Sequence, residues 1–152
     1  MKSYFLSIVF ILSLNSSVKA IQETAFSDSL KIKRVDSIIK KARYKKVRID
    51  KVSDQNQQEK FWVDERDKET FVVGVAESNI NKTFTRYYFI KGMLAKVLYE
   101  CNKPDHSKGG GVYYFSENNL IYKKETRIES QNENVFLETA TRLKSKMAEY
   151  TQ

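Results

Sequence analysis

The chain has 152 residues, 41% of them hydrophobic, and 27 Lys and Arg against 19 Asp and Glu give a formal net charge of +8 at pH 7. One cysteine excludes an intramolecular disulfide, so the fold must rest on packing, for which nine Tyr and nine Phe supply material. No motif for a nucleotide, haem or flavin is present, and we expect no cofactor and no metal.

Residues Met1–Ala20 have the pattern of an export signal. Lys2 precedes the apolar stretch Tyr4–Leu14, and Val18-Lys19-Ala20 ends on a small residue. This stretch is too short to cross a hydrocarbon layer of roughly 30 Å. We expect cleavage after Ala20 and export of residues 21–152 to the periplasm or medium as a single α+β domain with no transmembrane segment. An uncleaved anchor is the alternative.

A basic amphipathic helix is predicted over Phe26–Arg48. Its apolar stripe has the spacing i, i+3, i+4, i+7: Val35, Ile38, Ile39 and Ala42. Lys31–Arg48 holds nine basic residues and one acid, Asp36, which gives +8, whereas sixteen basic and eighteen acidic residues elsewhere in 21–152 give −2. The basic excess of the chain is therefore local.

Two interpretations of this basic segment remain open. One is a face that binds an anionic partner such as lipid headgroups or an acidic envelope polysaccharide. Nucleic acid is not expected, because exported proteins seldom meet it. The other is the solvated outer face of a helix packed on a sheet. The candidate binding residues are Lys33, Arg34, Lys40, Lys41, Arg43, Lys45 and Lys46.

An antiparallel meander of five or six strands is predicted to follow. Strands are expected within Gln58–Glu65 and Glu69–Glu77, and every connection is too short for a parallel crossover. Val47 and Ile49 alternate as in a short strand. The carboxylates near the turn between these two strands, Asp64 among them, are expected to be solvated.

Two hairpins with one plan complete the sheet. Each has an aromatic triplet, a four-residue turn and a leucine that opens the return strand. The triplets Tyr87-Tyr88-Phe89 and Tyr113-Tyr114-Phe115 lie 26 residues apart, and Gly92 and Asn118 suit positive φ in the turns. Successive aromatic residues face opposite sides of the sheet. Tyr87, Tyr88, Tyr113 and Tyr114 could therefore form a ligand or dimer surface, or a cross-strand aromatic ladder without a ligand.

The segment Cys101–Gly111 is predicted to be the longest connection. It holds the only proline, histidine and cysteine of the chain. A hydrolase using Cys101 and His106 is one hypothesis, a metal site with Asp105 another, and a phosphate loop at Gly109-Gly110-Gly111 a third. A flexible hairpin connection is the simpler interpretation. For Cys101 we expect burial, with an intermolecular bridge and hence a homodimer as the alternative.

An amphipathic C-terminal helix packed on the sheet is the last predicted element. Phe136, Ala140, Leu143 and Met147 form its apolar stripe. Ser130 and Glu133 fit a capping box at its start. Both helices are expected to share one face of the sheet.

The hairpin sequence Tyr88-Phe89…Gly92…Leu94 resembles the short hairpin repeats of the MORN type. The second hairpin of this chain has Asn118 at the position where that motif usually has glycine. A helix laid on an antiparallel meander also resembles the general plan of cystatin-like domains. Neither resemblance implies functional residues.

The leading functional hypothesis is an exported, non-catalytic binding module with an unidentified partner. The alternatives are an electrostatic adaptor to an anionic envelope component and, third, the Cys/His-dependent hydrolase. A homodimer could form through Cys101 or the sheet face.

Overall fold

The computed structural model describes residues 26–52, 56–78, 82–105 and 107–151. The predicted signal Met1–Ala20 and His106 lie outside this range. Contacts divide the chain into two compact units, Met1–Arg34 and Val35–Gln152. No helix in the described ranges is long and apolar enough to cross a membrane. The elements are α1 (26–41), β1 (Tyr44–Val52), β2 (Gln57–Asp64), β3 (Phe71–Ser78), β4 (Lys82–Ile90), β5 (Met93–Asn102), β6 (Lys108–Ser116), β7 (Asn119–Thr126) and α2 (Glu133–Thr151).

The strands form one antiparallel sheet in the order β1-β2-β3-β4-β5-β6-β7. The predicted meander is confirmed, but it has seven strands rather than five or six. The additional strand is β1, because the predicted extension of the first helix to Arg48 was wrong. Tyr44, Val47 and Val52 favour extended backbone, and pairing with β2 from Tyr44↔Asp64 to Val52↔Gln57 outweighs the helical pattern.

The two-hairpin plan is confirmed. The turns are the two-residue type that matches strand twist, with φ of 51° at Lys91, 69° at Gly92, 52° at Glu117 and 63° at Asn118. Each hairpin also shifts register between the second and third aromatic residue of its triplet. The two hairpins therefore share the same type of turn and the same register shift as well as the same sequence pattern.

One face of the sheet, covered by α2, forms the core. The predicted stripe of α2 is confirmed, since Phe136, Ala140, Leu143 and Met147 are all buried against the sheet. Fully burying a Phe, Leu or Met side chain contributes roughly 1.5–3 kcal/mol. The sheet side of the core includes Phe61, Val73, Phe89, Val97 and Tyr113.

The N-cap of α2 is Asn132, and the predicted capping box on Ser130 was wrong. Asn132 Oδ1 accepts a hydrogen bond from the Asn134 amide at 3.0 Å, two residues into the helix. Ser130 Oγ instead accepts a bond from Lys123 Nζ at 2.9 Å. The helix therefore begins at Glu133, two residues later than a cap at Ser130 would place it.

The opposite face of the sheet meets the end of α1, so the expectation that both helices share one face was wrong. Tyr113 and Tyr114 are consecutive and point to opposite faces. Tyr113 packs on Phe136 of α2 at 4.7 Å between ring centroids, whereas the Tyr114 hydroxyl donates to Asp36 at 2.9 Å. Lys96 Nζ bonds the same carboxylate at 2.7 Å. Because α2 covers one face of the sheet and the end of α1 covers part of the other, both faces carry apolar side chains.

Asp36→Asn is expected to loosen the end of α1. The substitution removes the ion pair to Lys96 and weakens the bond from Tyr114, at a cost of about 1 kcal/mol, because Asp36 is 46% exposed and the pair is partly screened. Hydrogen exchange should accelerate several-fold at the amides of residues 36–41 and stay unchanged at Val97. Lys31→Gln, which breaks only the exposed pair to Asp28, is the control. Equal exchange in wild type and D36N would contradict this role of Asp36.

The segment Cys101–Gly111 is mostly strand, which corrects the predicted long loop. β5 continues to Asn102 and β6 begins at Lys108, so all three glycines belong to β6. A Cβ on Gly110 would lie 2.5 Å from the Tyr99 carbonyl oxygen, and one on Gly111 would lie 2.7 Å from the Tyr113 hydroxyl. Because these glycines have no side chains, strand β5 and the Tyr113 ring can approach the backbone of β6 closely. Cys101 is buried, as expected.

Asp64 is buried rather than solvated as the sequence predicted. Its Oδ1 accepts bonds from the amides of Arg43 and Arg66, each at 3.2 Å, and the Arg66 guanidinium lies 3.7 Å away. Burial alone would raise the pKa of Asp64, but these donors outweigh it and hold the pKa below its ordinary value. The carboxylate thus joins the α1–β1 link to the end of β2.

The buried Tyr113 hydroxyl donates to Glu125 Oε1 at 2.7 Å. The Gln131 amide donates to the same oxygen at 2.9 Å. The bonds from Tyr113 and Gln131 lower the pKa of Glu125 below its ordinary 4.5. A lowered folded-state pKa means that this stabilisation is present above about pH 4.5 and is lost as the pH falls through the folded-state pKa.

Tyr113→Phe is therefore expected to lower the free energy of unfolding by about 1–2 kcal/mol at pH 7. The deficit should shrink as the pH falls below 4.5, because protonation removes the same stabilisation from the wild type. Urea unfolding of both proteins at pH 7, 5.5, 4 and 3 measures it. A deficit that stays constant across this series would show that Glu125 is not the partner that matters.

Candidate functional site

The seven basic candidates do not lie on one helix. Lys33, Arg34, Lys40 and Lys41 lie on α1, Arg43 precedes β1, and Lys45 and Lys46 lie on β1. All seven are exposed, and within the described part of the chain none has an ion-pair partner on its side chain. They provide exposed positive charge but no enclosed site.

The four candidate tyrosines separate between the two faces. Tyr87 and Tyr113 are buried beneath α2, Tyr114 is buried on the opposite face, and Tyr88 is half-buried there. Cross-strand aromatic pairs are present, with Phe71 stacked on Phe89 at 4.3 Å and Tyr114 edge-on to Tyr122 at 5.9 Å. Of the four, Tyr87 lines a cleft.

This cleft, which we call the α2 cleft, lies between α2 and strands β1 to β5 and has a volume of about 610 Å³. Val75, Val135 and Phe136 form apolar parts of its wall. Hydroxyl and amide groups form much of the rest: Gln57, Thr83, Thr85, Tyr87, Tyr99 and Thr139. Strand and helix residues carry nearly all of these groups, so the cleft has rigid walls.

A buried ion cluster forms the α2 side of the cleft. Glu59 on β2 is fully buried, and its two carboxylate oxygens each accept a bond at 2.6 Å, one from Arg142 Nη1 and one from Lys146 Nζ. Arg142 and Lys146 also line the cleft. They lie four residues apart on α2 and so project from one helix face. The carboxylate holds both cations in place at the cleft wall.

Among the described residues that line the cleft, Glu77 on β3 is the one with a carboxylate. Its oxygens accept bonds from Gln57 Nε2 at 3.2 Å and Thr83 Oγ1 at 3.3 Å. Both donors are neutral, and among the described residues no ion pair joins Glu77 to a cation. Its charge is therefore held in place but not neutralised.

The two tyrosine hydroxyls of the cleft are protonated at neutral pH. Burial raises the pKa of Tyr87 to about 12 and outweighs the hydrogen bond with Thr139, which acts to lower it. Burial, the neighbouring Cys101 thiol and Glu77 raise the pKa of Tyr99. Both groups thus act as hydrogen-bond donors and acceptors rather than as bases.

The charged cleft residues were not predicted from sequence, although two signals were present. Glu59, Phe61 and Val63 alternate along one strand, which places Glu59 on the core side. Arg142 and Lys146 have i, i+4 spacing beside the apolar stripe of α2. A carboxylate facing the core together with two cations beside the core stripe indicates a buried pair.

Comparison with known proteins gives no match to a family model, to a curated protein or to a solved structure. The MORN-type resemblance of the hairpins is thus not supported by a family model.

Proposed function

We propose that the protein is an exported, non-catalytic binding module whose ligand occupies the α2 cleft. One observation carries the proposal: the cleft volume of about 610 Å³ lies within the range of small-ligand sites and its polar groups converge on one space. Groups on rigid elements lose little freedom on binding, which favours affinity.

The Glu59 cluster supports this proposal. Buried charges cost several kcal/mol to desolvate, and the cluster contributes little net stability compared with an apolar packing of the same volume. It does fix two cationic side chains at the cleft wall, with Arg142 still 43% exposed. Positioned charge at an accessible wall is useful for recognition.

Chemical-shift mapping on the full chain tests the proposal. The probes are trialanine, maltose and succinate, one peptide, one neutral sugar and one dianion. For at least one probe we expect saturable shifts concentrated at Thr83, Thr85, Gln131 and Thr139, which line the cleft. Shifts distributed over the remaining surface, or none with any probe, would contradict the proposal.

A second candidate function is an electrostatic adaptor to an anionic envelope surface. The seven basic side chains, which are exposed and have no ion-pair partner among the described residues, favour it. The test is co-sedimentation of wild type and K40Q/K41Q/K45Q/K46Q with vesicles of anionic or neutral lipid, and with acidic polysaccharide, over a salt series. Binding lost in the variant and above about 0.1 M salt, where the screening length is roughly 10 Å, would support it. No binding by either protein would leave these residues as solvated exterior.

A further inference from the structure

Among the described residues, the α2 cleft has an uncompensated charge of each sign on its two sides. Arg142 and Lys146 line the α2 side of the cleft, and the buried Glu59 is the carboxylate that they share. Arg48 and Asp50 lie beside them on β1. Arg48 Nε bonds Asp50 at 2.6 Å, so Arg142 and Lys146 share Glu59 and one positive charge remains. Lys146 lies 3.9 Å from Asp50, but Asp50 already has Arg48 as its close partner.

The negative charge is that of Glu77. Gln57 and Thr83 orient its carboxylate without neutralising it. Glu77 is half-buried, so water screens it incompletely. A cationic group of a ligand would complete this site.

Among the described residues, the positive side has hydrogen-bond donors without a partner. A guanidinium has five N–H donors in a planar fork, and Arg142 gives one of them to Glu59. Its remaining donors suit a carboxylate. Glu77, Tyr87 and Arg142 all line this cleft, so the two charges face one shared space.

We propose that the α2 cleft binds a zwitterionic ligand, namely a short peptide with free termini. Its ammonium group contacts Glu77 and its carboxylate contacts Arg142. This inference rests on the proposed function and specifies its ligand class. Neutral ligands would leave both charges partly desolvated and unpaired, which is unfavourable. An anion alone would meet Glu77, and a cation alone would meet the excess positive charge.

Four forms of one probe test the charge requirement. They are trialanine with free termini, its N-acetyl form, its C-terminal amide, and the doubly blocked peptide, each titrated into the full chain and followed by NMR. Blocking either terminus should weaken binding about tenfold, which corresponds to about 1.4 kcal/mol. Blocking both should weaken it further.

Glu77→Gln assigns the ammonium end. The variant retains hydrogen bonding to Gln57 and Thr83 and should weaken free trialanine about tenfold while leaving the N-acetyl form unchanged. Glu117→Gln, at an exposed position in the turn between β6 and β7, is the matched control and should bind all four forms as the wild type does. Equal losses for free and N-acetyl peptide in E77Q would overturn the assignment.

The outcomes separate this inference from the proposed function. If the doubly blocked peptide or maltose shifts the cleft amides with the same affinity as free trialanine, the cleft is a binding site and the zwitterion inference is wrong. If none of the probes shifts those amides, the inference and the proposed function both fail.

Discussion

Replacing Arg142 and Lys146 together with Met is expected to lower the free energy of unfolding by about 3–5 kcal/mol. The double variant keeps the apolar stems but leaves the fully buried Glu59 carboxylate without a cation. An unpaired buried charge of this kind is strongly destabilising. Urea unfolding at pH 7 should show a lower midpoint with little change in slope.

The controls separate loss of pairing from loss of surface charge. Lys144→Met changes a neighbouring exposed lysine on α2 and should be nearly neutral. Adding Glu59→Met to the double variant should restore most of the lost stability, because the unpaired charge is then removed. A triple variant no more stable than the double would show that burial of the carboxylate is not the cause.

Gly110→Ala is expected to cost about 3 kcal/mol or more. The added Cβ would lie 2.5 Å from the Tyr99 carbonyl oxygen, which belongs to the backbone of the paired strand β5 and cannot rotate away. The two strands would have to separate near the end of their pairing, which combines overpacking with lost ladder bonds.

Gly74→Ala is the matched comparison for Gly110→Ala. Its Cβ would lie 3.1 Å from ring atoms of Phe84 and Trp62, which are half-buried side chains rather than backbone and would need to shift by only a few tenths of an ångström. We expect a loss of about 1 kcal/mol at this position. Equal stability of the two variants, measured by urea unfolding, would contradict the close approach assigned to Gly110.

Local periodicity was sufficient to predict much of the fold. The apolar stripe of α2 and the two hairpin turns were predictable because each depends on residues within a few positions of one another, as at Lys91-Gly92. The end of α1 was not, because the basic residues after Lys41 fit either a helix C-terminus or an edge strand. Pairing with β2 decides between them.

The candidate site was less predictable because it joins distant parts of the chain. Glu59 and Arg142 are 83 residues apart in sequence, and their pairing depends on α2 crossing the sheet over β2. The Tyr87 side chain was singled out as a candidate, but its role at the cleft depends on where α2 lies. The sequence pattern indicated which residues face the core, but it did not indicate which of them contact one another.

The positions of Lys45 and Lys46 also favour a structural explanation of part of the basic segment. β1 is an edge strand of the sheet, and Lys123 and Lys124 lie on β7 at the other edge. Lysines on exposed edges prevent strand pairing between copies of a sheet. This role accounts for the strand lysines without a ligand, and it leaves Lys40 and Lys41 as the stronger members of the adaptor hypothesis.

Filling the α2 cleft with a larger side chain tests directly whether this cleft is a ligand site. Thr139→Phe places a ring in the cleft lining, whereas Ser145→Phe places the same ring on the exposed side of α2. Both full-length variants would be titrated with trialanine and compared with wild type by NMR. We predict that T139F loses the cleft shifts while S145F retains them at wild-type affinity. Unchanged binding by T139F, or equal loss in both variants, would contradict a ligand site in this cleft.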